Sequence, residues 1–350
     1  MPSAHKFMIS HINFSGDNLM KLLFIFTGGT IGSTVQCDFI STDSAKPYLL
    51  IQAYKERFGL VADYDAIQPY TELSENNTGE TIQMLIESVM EQLSAGYDGI
   101  IVTHGTDTLQ YSAAALAYAT AGCDIPICLV SSNRPIEHPQ ANGLANLHGA
   151  IRFIEQVGTP GVWVSYQNPG DVVKIHRGTR LLGAEAFSEY IRSIYDSYYG
   201  WFDDKFEFQQ NETYGEKIDE QPALCGNVPL NPATHILRIE PYPGMHYPQI
   251  TTDVNYILHG TFHSGTINTK SETIKDFFLT THAKGIKTYL VGVSSGISYE
   301  STKWFDELYI SPLHDISPVA AYVKLWMSSA FGLDVDAIMQ KSLAGDIVPL

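Results

Sequence analysis

The most constraining feature of this chain is a repeated alternation. From Leu22 onward, short apolar runs of strand length are separated by stretches with helical periodicity. Such runs, bounded by turn signals, read as buried strands, and strands that alternate with helices are joined most simply in parallel, so the pattern predicts an α/β fold on a mostly parallel open sheet. Leu22 to Phe26, Ile100 to Thr103, Pro126 to Val130 and Gly161 to Tyr166 read as strands. The best helix follows Gly79: Ile82, Leu85, Ile86, Val89, Met90 and Leu93 recur at steps of three and one as a core stripe, and Gly96 stops it. A small-residue helix runs through Ala113, Ala114, Ala115 and Ala117, and another lies near Leu147 to Ile154.

At 350 residues the chain is long enough for about two domains of ~150 residues each. Polar residues dominate between Phe202 and Pro232, where Asp203, Asp204, Gln209, Gln210, Asn211 and Glu212 outnumber apolar ones. The division expected is an extension at residues 1–19, a larger N-terminal α/β domain at 20–205, a linker at 206–232 and a smaller C-terminal α/β domain at 233–350. In the second half His235 to Glu240, Asn255 to Leu258 and Ile286 to Val293 read as strands and Glu272 to Ala283 as a helix. A last helix opens at Ser317-Pro318, a capping serine before a proline at the first helical position, and turns Val319, Tyr322, Val323 and Trp326 inward. Residues 1–19 are polar and aperiodic, and Met20-Lys21 reads as a natural beginning, so this segment is expected to be dispensable.

Composition narrows the function classes. Lys and Arg number 21 against 38 Asp and Glu, and the formal net charge of −17 repels a phosphate backbone or an anionic membrane at long range. Four cysteines, Cys37, Cys123, Cys128 and Cys225, are too few and scattered for a disulfide framework, and Cys123 and Cys128 read as core packing. The apolar run Leu22 to Phe26 is far short of the ~20 residues of a membrane span. These features predict a cytoplasmic protein acting on a small molecule, without nucleic acid or membrane as partner.

In open α/β sheets ligands sit beyond the carboxyl ends of strands, so the loops at Thr30, Thr106, Ser132 and Asn168 are expected to converge on one crevice. Two of these loops place a threonine beside glycine, in Gly28-Gly29-Thr30 and Gly105-Thr106-Asp107. A threonine hydroxyl becomes a nucleophile when a base activates it and backbone NH groups, which glycine turns expose, stabilise the oxyanion. Gly-Thr turns are also common at strand ends, so the spacing alone decides nothing. His259 and His263 have the i, i+4 spacing of a helical zinc pair, but Gly260 and Gly265 make that stretch a loop, and no metal is expected. Gly292-Val293-Ser294-Ser295-Gly296 matches the nucleophile elbow of serine esterases, with Asp306 and His314 following in order. An elbow needs an immediate helix, however, and Ile297 to Lys303 lacks an amphipathic stripe.

The local strings are more specific than these patterns. Phe26-Thr27-Gly28-Gly29-Thr30-Ile31-Gly32 and Val102-Thr103-His104-Gly105-Thr106-Asp107-Thr108 resemble, in order, the two signature segments of the bacterial-type L-asparaginase and glutaminase family, and of its cytoplasmic type I branch in particular. The likeness continues through Asn133-Arg134-Pro135, Gln140-Ala141-Asn142-Gly143 with Asn146-Leu147, and Gly170-Asp171-Val172-Val173-Lys174. Ile239 to Gly244 and His314 to Ser317 look like later landmarks, so it covers the chain from about Met20 to its end. The resemblance implies hydrolysis of a side-chain amide through an acyl-enzyme, without metal or organic cofactor. It places the nucleophile on Thr30 and the activating set on Thr106, Asp107 and Lys174. Lys174, held among apolar walls, is expected to lose its proton near neutral pH and draw one from Thr106, with Asp107 orienting it and pairing with the substrate ammonium. Gly29, Ser74, Glu75 and Ser132 are implied as substrate-binding: Ser74 and Glu75 at the α-carboxylate and α-amino groups, and the backbone around Ser132 at the amide.

One departure stands out. Phe39 occupies the position at which the family carries an activating tyrosine, and Thr34, Ser41 and Tyr48 are the hydroxyls that could replace it. Glu300 is the candidate for an acid contributed across a subunit interface. Kinship implies a homodimer or homotetramer acting on L-asparagine, with L-glutamine as an alternative substrate. The rival reading is an asparaginase-like fold that serves as an amino-acid binding module or as the ammonia-releasing component of an amidotransferase.

Overall fold

A computed structural model describes residues 20–29, 31, 33–36, 39–42, 46–59, 62–219, 223–226, 229–230, 235–250, 253–296 and 298–349. The expected extension at 1–19, the nucleophile candidate Thr30 and Cys37 lie outside the described residues, as do the side chains of Thr34, Phe39, Ser41 and Tyr48. The first strand, β1 (Lys21–Phe26), leads through a two-stranded ribbon, β2 (Ser33–Gln36) and β3 (Phe39–Thr42), to α1 (Lys46–Phe58) and β4 (Asp63–Ile67). The alternation continues through α2 (Gly79–Met90), β5 (Gly99–Thr103), α3 (Leu109–Ala119), β6 (Pro126–Val130), α4 (Gly143–Gln156) and β7 (Gly161–Gln167). Three short strands follow, β8 (Val173–Arg177), β9 (Gly200–Phe202) and β10 (Phe208–Gln210). The second half carries β11 (Ile236–Ile239), β12 (Tyr256–His259), α5 (Glu272–Ala283), β13 (Lys287–Val293), β14 (Ile310–His314), α6 (Pro318–Ala330) and α7 (Val335–Met339).

The large sheet has the order β10-β9-β8-β7-β6-β5-β1-β4. From β7 to β4 every neighbour is parallel, while β8, β9 and β10 extend the sheet antiparallel. The chain leaves β1 in one direction to reach β4 and then returns to the other flank of β1 to lay down β5, so the order reverses between β1 and β5. Loops that leave two neighbouring strands toward opposite sides open a crevice at their carboxyl ends. The smaller sheet, β11-β12-β13-β14, is parallel throughout. Phe208–Gln210, within the stretch expected to link the two halves, completes the edge of the large sheet instead, because its backbone pairs with β9.

Two apolar layers sandwich the large sheet. In β1, Leu22, Phe24 and Phe26 face the layer of α1 and α4, while Leu23 and Ile25 face that of α2 and α3, as the two-residue period of a strand requires. The second layer continues into the other half through Val319, Val323 and Trp326 of α6. Burying this shared layer is worth ~25 cal/mol per Å² of apolar surface, which makes α3 against α6 the main seam between the sheets. Tyr118 closes the seam, donating to the Asp346 carboxylate at 2.8 Å beside Lys324, which pairs with the same carboxylate at 2.9 Å in full burial. The stripe of α2 buries Ile82, Leu85, Ile86 and Val89 as expected, but Met90, the last residue of the helix, is exposed. The Ser317 hydroxyl caps α6 by accepting from Val319 and Ala320 NH groups at 3.2 and 3.5 Å. Cys128 is fully buried in the first layer.

Candidate active site

The loop after β1 is built by two consecutive glycines in the left-handed region, Gly28 at φ +100° and Gly29 at φ +74°, a geometry that side chains resist. Gly28 bridges Glu72, the Gly29 NH donates to the Glu72 carbonyl at 2.9 Å, and the Glu72 NH donates to the Thr27 carbonyl at 3.0 Å. These bonds prolong the pairing of β1 with the segment after β4. The Thr27 hydroxyl, donating to the Thr103 carbonyl at 2.6 Å, ties the ends of β1 and β5 together.

Here the two threonine loops meet. A Cβ on Gly29 would stand 2.5 Å from Gly105 Cα, and one on Gly105 would stand 2.7 Å from Ser74 Cβ, so Gly29 and Gly105 are in backbone contact and the Ser74 side chain packs against Gly105. Ile31, on the far side of residue 30, is buried 3.4 Å from where a Gly143 Cβ would lie, and that same position is 2.8 Å from Ser132 Oγ. Gly29, Ser74 and Gly105 thus lie together at the point where the strand order reverses, and Ser132 packs on Gly143 beside Ile31.

Ser74 lies in a 3-10 turn, Ser74–Asn76, and is buried, with its hydroxyl 3.5 Å from Asp107 Oδ2. Glu75 and Asp107 are exposed and Thr106 is half-buried. Asn77 holds this side together. Its amide donates to His104 Nε2 at 3.2 Å and to Thr108 Oγ1 at 3.1 Å, and the Thr108 hydroxyl passes a bond to the Ser74 carbonyl at 2.9 Å. His104 is fully buried, and burial drives its pKa down; the neutral ring donates from Nδ1 to the Gly105 carbonyl at 2.8 Å and accepts at Nε2. The opposite wall is clipped by two more amides. Asn142 donates to the Gln167 carbonyl at 2.8 Å and accepts from the Asn133 NH at 2.9 Å, while Asn146 donates to the Ser131 carbonyl at 2.8 Å and accepts from the Gln167 NH at 2.7 Å. Ser132 is buried beneath, with its hydroxyl on the Arg134 carbonyl at 2.5 Å.

Lys174 is placed differently from the expectation. Its ammonium sits 2.8 Å from Asp171 Oδ2 and 4.6 Å from the centre of the Tyr198 ring, and among the described residues it forms no ion pair with Asp107 and no hydrogen bond with Thr106. Partial burial works against its charge, but the Asp171 hydrogen bond and carboxylate, with Asp196 and Tyr198, outweigh burial and raise its pKa above the ordinary lysine value. The expected loss of a proton near neutral pH is therefore not favoured in this arrangement, because a carboxylate three residues earlier supplies what apolar walls would have withheld. Asp107 pairs with Ser74 rather than with the lysine.

Sequence reasoning does not single out Asn77, and it reaches Thr108, Asn142, Asn146 and Asp171 only as matching letters. Asparagines and threonines clustered just past strand ends are the available signal, since their side chains bond backbone groups that loops leave open. The alternative centres do not assemble. Ser294 follows β13 without a helix behind it, the next regular turn being the 3-10 segment Glu300–Trp304, and no hydrogen bond joins Ser294, Asp306 and His314 among the described residues. His259 is buried, with Nε2 accepting from Tyr247 OH at 2.8 Å and Nδ1 donating to the Gly260 carbonyl at 2.5 Å. No group of metal-ligating side chains and no helix long and apolar enough to cross a membrane occurs among the described residues.

A glutamyl-tRNA(Gln) amidotransferase subunit from Methanosarcina barkeri is 33% identical over 178 residues, 51% of this chain and 42% of that protein. The protein of the same name from Sulfurisphaera tokodaii is 26% identical over 93% of this chain and 75% of its own length. An L-asparaginase of Thermococcus kodakarensis is 32% identical over 48% of this chain and 50% of its length. This chain thus spans about two fifths to half of the length of several curated relatives it matches. Among solved structures, L-asparaginase I from Vibrio cholerae shares the fold with a TM-score of 0.78 at 20% identity, covering 95% of this chain and 100% of that one. The thermostable L-asparaginase from Thermococcus kodakarensis does so with a TM-score of 0.73 at 23% identity and the same coverage. Residues 21–213, more than half of the chain and the part that carries both threonine loops, match the family model described as "Asparaginase, N-terminal", and the chain belongs to the asparaginase family.

Proposed function

We propose that this protein is an amidohydrolase that converts L-asparagine to L-aspartate and ammonia. The observation that supports the reading is the backbone contact of Gly29 with Gly105, with the Ser74 side chain packed against Gly105, at the switch between β1 and β5. Thr30 Oγ attacks the carboxamide carbon, the hydroxyl proton passes to the departing nitrogen, and ammonia leaves an aspartyl ester on Thr30. Water then cleaves the ester and restores the hydroxyl. Backbone NH groups of the glycine turn, Gly29 among them, stabilise the oxyanion. Thr106 activates the water or the nucleophile, and Asp107 receives the substrate ammonium beside Ser74. Glu75 and the backbone at Ser132 complete the contacts. The reaction needs no cofactor, and the enzyme works as a cytoplasmic homodimer or homotetramer.

The test is ammonia release from asparagine by the purified chain alone. Thr30→Ala and Thr106→Val should each lower turnover by ~10²-fold or more with an unchanged circular dichroism spectrum, the scale of a lost acid-base or nucleophilic group. Near-normal turnover in either folded variant removes that residue from the mechanism. A second reading is favoured by the names of several relatives, which are subunits of an amidotransferase. In it the same chemistry supplies ammonia to a partner, and the chain alone binds asparagine with little turnover until that partner is added.

A further inference from the structure

Between the Ser74 turn and the loop after β5 lies one amide group that the proposed mechanism does not use. Asn77 follows the 3-10 turn Ser74–Asn76 and precedes Thr78, whose capping box opens α2, and its own NH donates to the Ser74 carbonyl at 3.1 Å, so its backbone is tied on both sides. From there its side-chain nitrogen reaches both ends of the Gly105–Asp107 loop, donating to His104 Nε2 at 3.2 Å and to Thr108 Oγ1 at 3.1 Å. The neighbours fix the direction of each bond. His104 carries its proton on Nδ1, which donates to the Gly105 carbonyl at 2.8 Å, so Nε2 can only accept. Thr108 gives its own hydroxyl proton to the Ser74 carbonyl at 2.9 Å, so toward Asn77 it too can only accept. Both partners need a donor, and the two N–H bonds of one amide supply them. Asn77 Oδ1 is buried without a hydrogen-bond partner among the described residues, so the group contributes through its nitrogen alone.

We propose that Asn77 is a positioning residue, a clamp that holds both ends of the Gly105–Asp107 loop against the Ser74 turn and so sets the separation of Ser74 from Asp107. The proposal rests on the asparaginase reading for the role of that pair at the substrate ammonium, but the clamp itself can be measured without turnover. Ser74 and Asp107 cannot set their own spacing, because their direct contact is 3.5 Å, at the outer limit of a hydrogen bond, and Asp107 is exposed. The clamp is better anchored. His104 is fully buried with its NH donating to the Val130 carbonyl at 2.9 Å, and Gln110 Nε2 braces the far end of the loop by donating to the Asp107 carbonyl at 3.0 Å. Burial keeps the His104 ring neutral against the opposing Gly105 carbonyl and Asp107 charge, and the neutral ring is the one whose Nε2 accepts.

The experiment compares the full chain with Asn77→Asp and Thr108→Val. In Asn77→Asp a carboxylate of nearly the same shape faces two acceptors without a donor, until one proton, on the introduced carboxyl or on His104 Nε2, restores the bond between them. Thr108→Val removes the other arm and adds nothing that titrates. The first readout is hydrogen–deuterium exchange by mass spectrometry of the peptide spanning residues 103–109, each variant set against the native chain at the same pH. Exchange there should quicken by about tenfold in both variants at about pH 8, with peptides of α5 unchanged as the check on folding. Unchanged exchange in Asn77→Asp, or in Thr108→Val if it alone folds, overturns the clamp. The second readout is kcat/KM for asparagine between about pH 8 and about pH 5, the range over which histidine and carboxyl groups take up protons. Because a displacement of about 1 Å costs ~10²-fold in rate, both variants should lose that much at the upper pH. The ratio of Asn77→Asp to native should then recover by about tenfold on acidification, while that of Thr108→Val stays flat. A loss in Asn77→Asp that is the same at every pH reports lost packing rather than a lost donor and overturns the positioning role. Quickened exchange with full turnover overturns the link to the substrate pair. Quickened exchange in the variants of a chain that hydrolyses no asparagine in its native form supports the clamp and overturns the asparaginase reading instead.

Discussion

Replacing Gly29 by alanine tests the contact that brings the two threonine loops together. Its backbone is at φ +74°, where a Cβ costs about 1 to 2 kcal/mol. The added methyl would stand 2.5 Å from Gly105 Cα and 2.7 Å from the His104 carbonyl carbon, closer than the 3.0 Å that real Cβ atoms respect, and both neighbours are backbone that cannot rotate away. Forcing backbone apart in a packed site adds about 1 to 3 kcal/mol, so the expected loss is about 2 to 5 kcal/mol. Gly122 is the control: it follows α3 at φ +84°, with no atom within 4 Å of where its Cβ would be, so Gly122→Ala should lose only the conformational share, about 1 to 2 kcal/mol. Urea unfolding followed by circular dichroism gives both values, with equal slopes as the check on two-state behaviour. Because a misplacement of about 1 Å costs ~10²-fold in rate, Gly29→Ala should also lose asparagine hydrolysis while Gly122→Ala keeps it. Equal stability losses in the two variants, or full turnover in Gly29→Ala, would refute the close approach of the loops.

Two further outcomes follow from buried charges. Lys324→Met leaves the fully buried Asp346 carboxylate without its cation and should cost about 3 to 5 kcal/mol in urea unfolding, whereas Lys324→Met combined with Asp346→Leu should cost less; a double variant as unstable as the single would show that the ion pair does not govern the α3–α6 seam. Burial, then the Lys174 charge, with Asp171 opposing, depress the pKa of His176 from an ordinary 6.5 to about 3. Between these values the unfolded chain binds a proton that the folded chain refuses, so the contribution of His176 is whole above about pH 6.5 and is lost as pH falls toward about 3. His176→Gln should flatten the stability drop between pH 7 and pH 5, and an unchanged slope would show that another group causes it.

Much of the scaffold is legible in the sequence because it follows from local periodicity. The five residues Leu22 to Phe26 read as a strand from apolar character alone, the helical stretch Glu272–Ala283 is α5, and Ser317-Pro318 announces the cap of α6. The antiparallel strands β9 and β10 are not legible, since runs of three residues carry no period and pair only because β8 offers a free edge. Met90 departs from its expected burial although Val89 beside it is buried, since a stripe says which face is apolar but not how far across it the packing reaches.

The site divides along the same line. The glycine turns after β1 and β5, those two strands and the α/β class are legible without coordinates, because turn chemistry and strand length are written in neighbouring residues. Only the tertiary structure decided that Gly29 backs onto Gly105, that Asn77, Asn142 and Asn146 lock the walls, and that Lys174 is claimed by Asp171 rather than Asp107. Those contacts join residues that are distant along the chain or compete for one partner, and the strength of an electrostatic or packing contact depends on distances that no local pattern encodes.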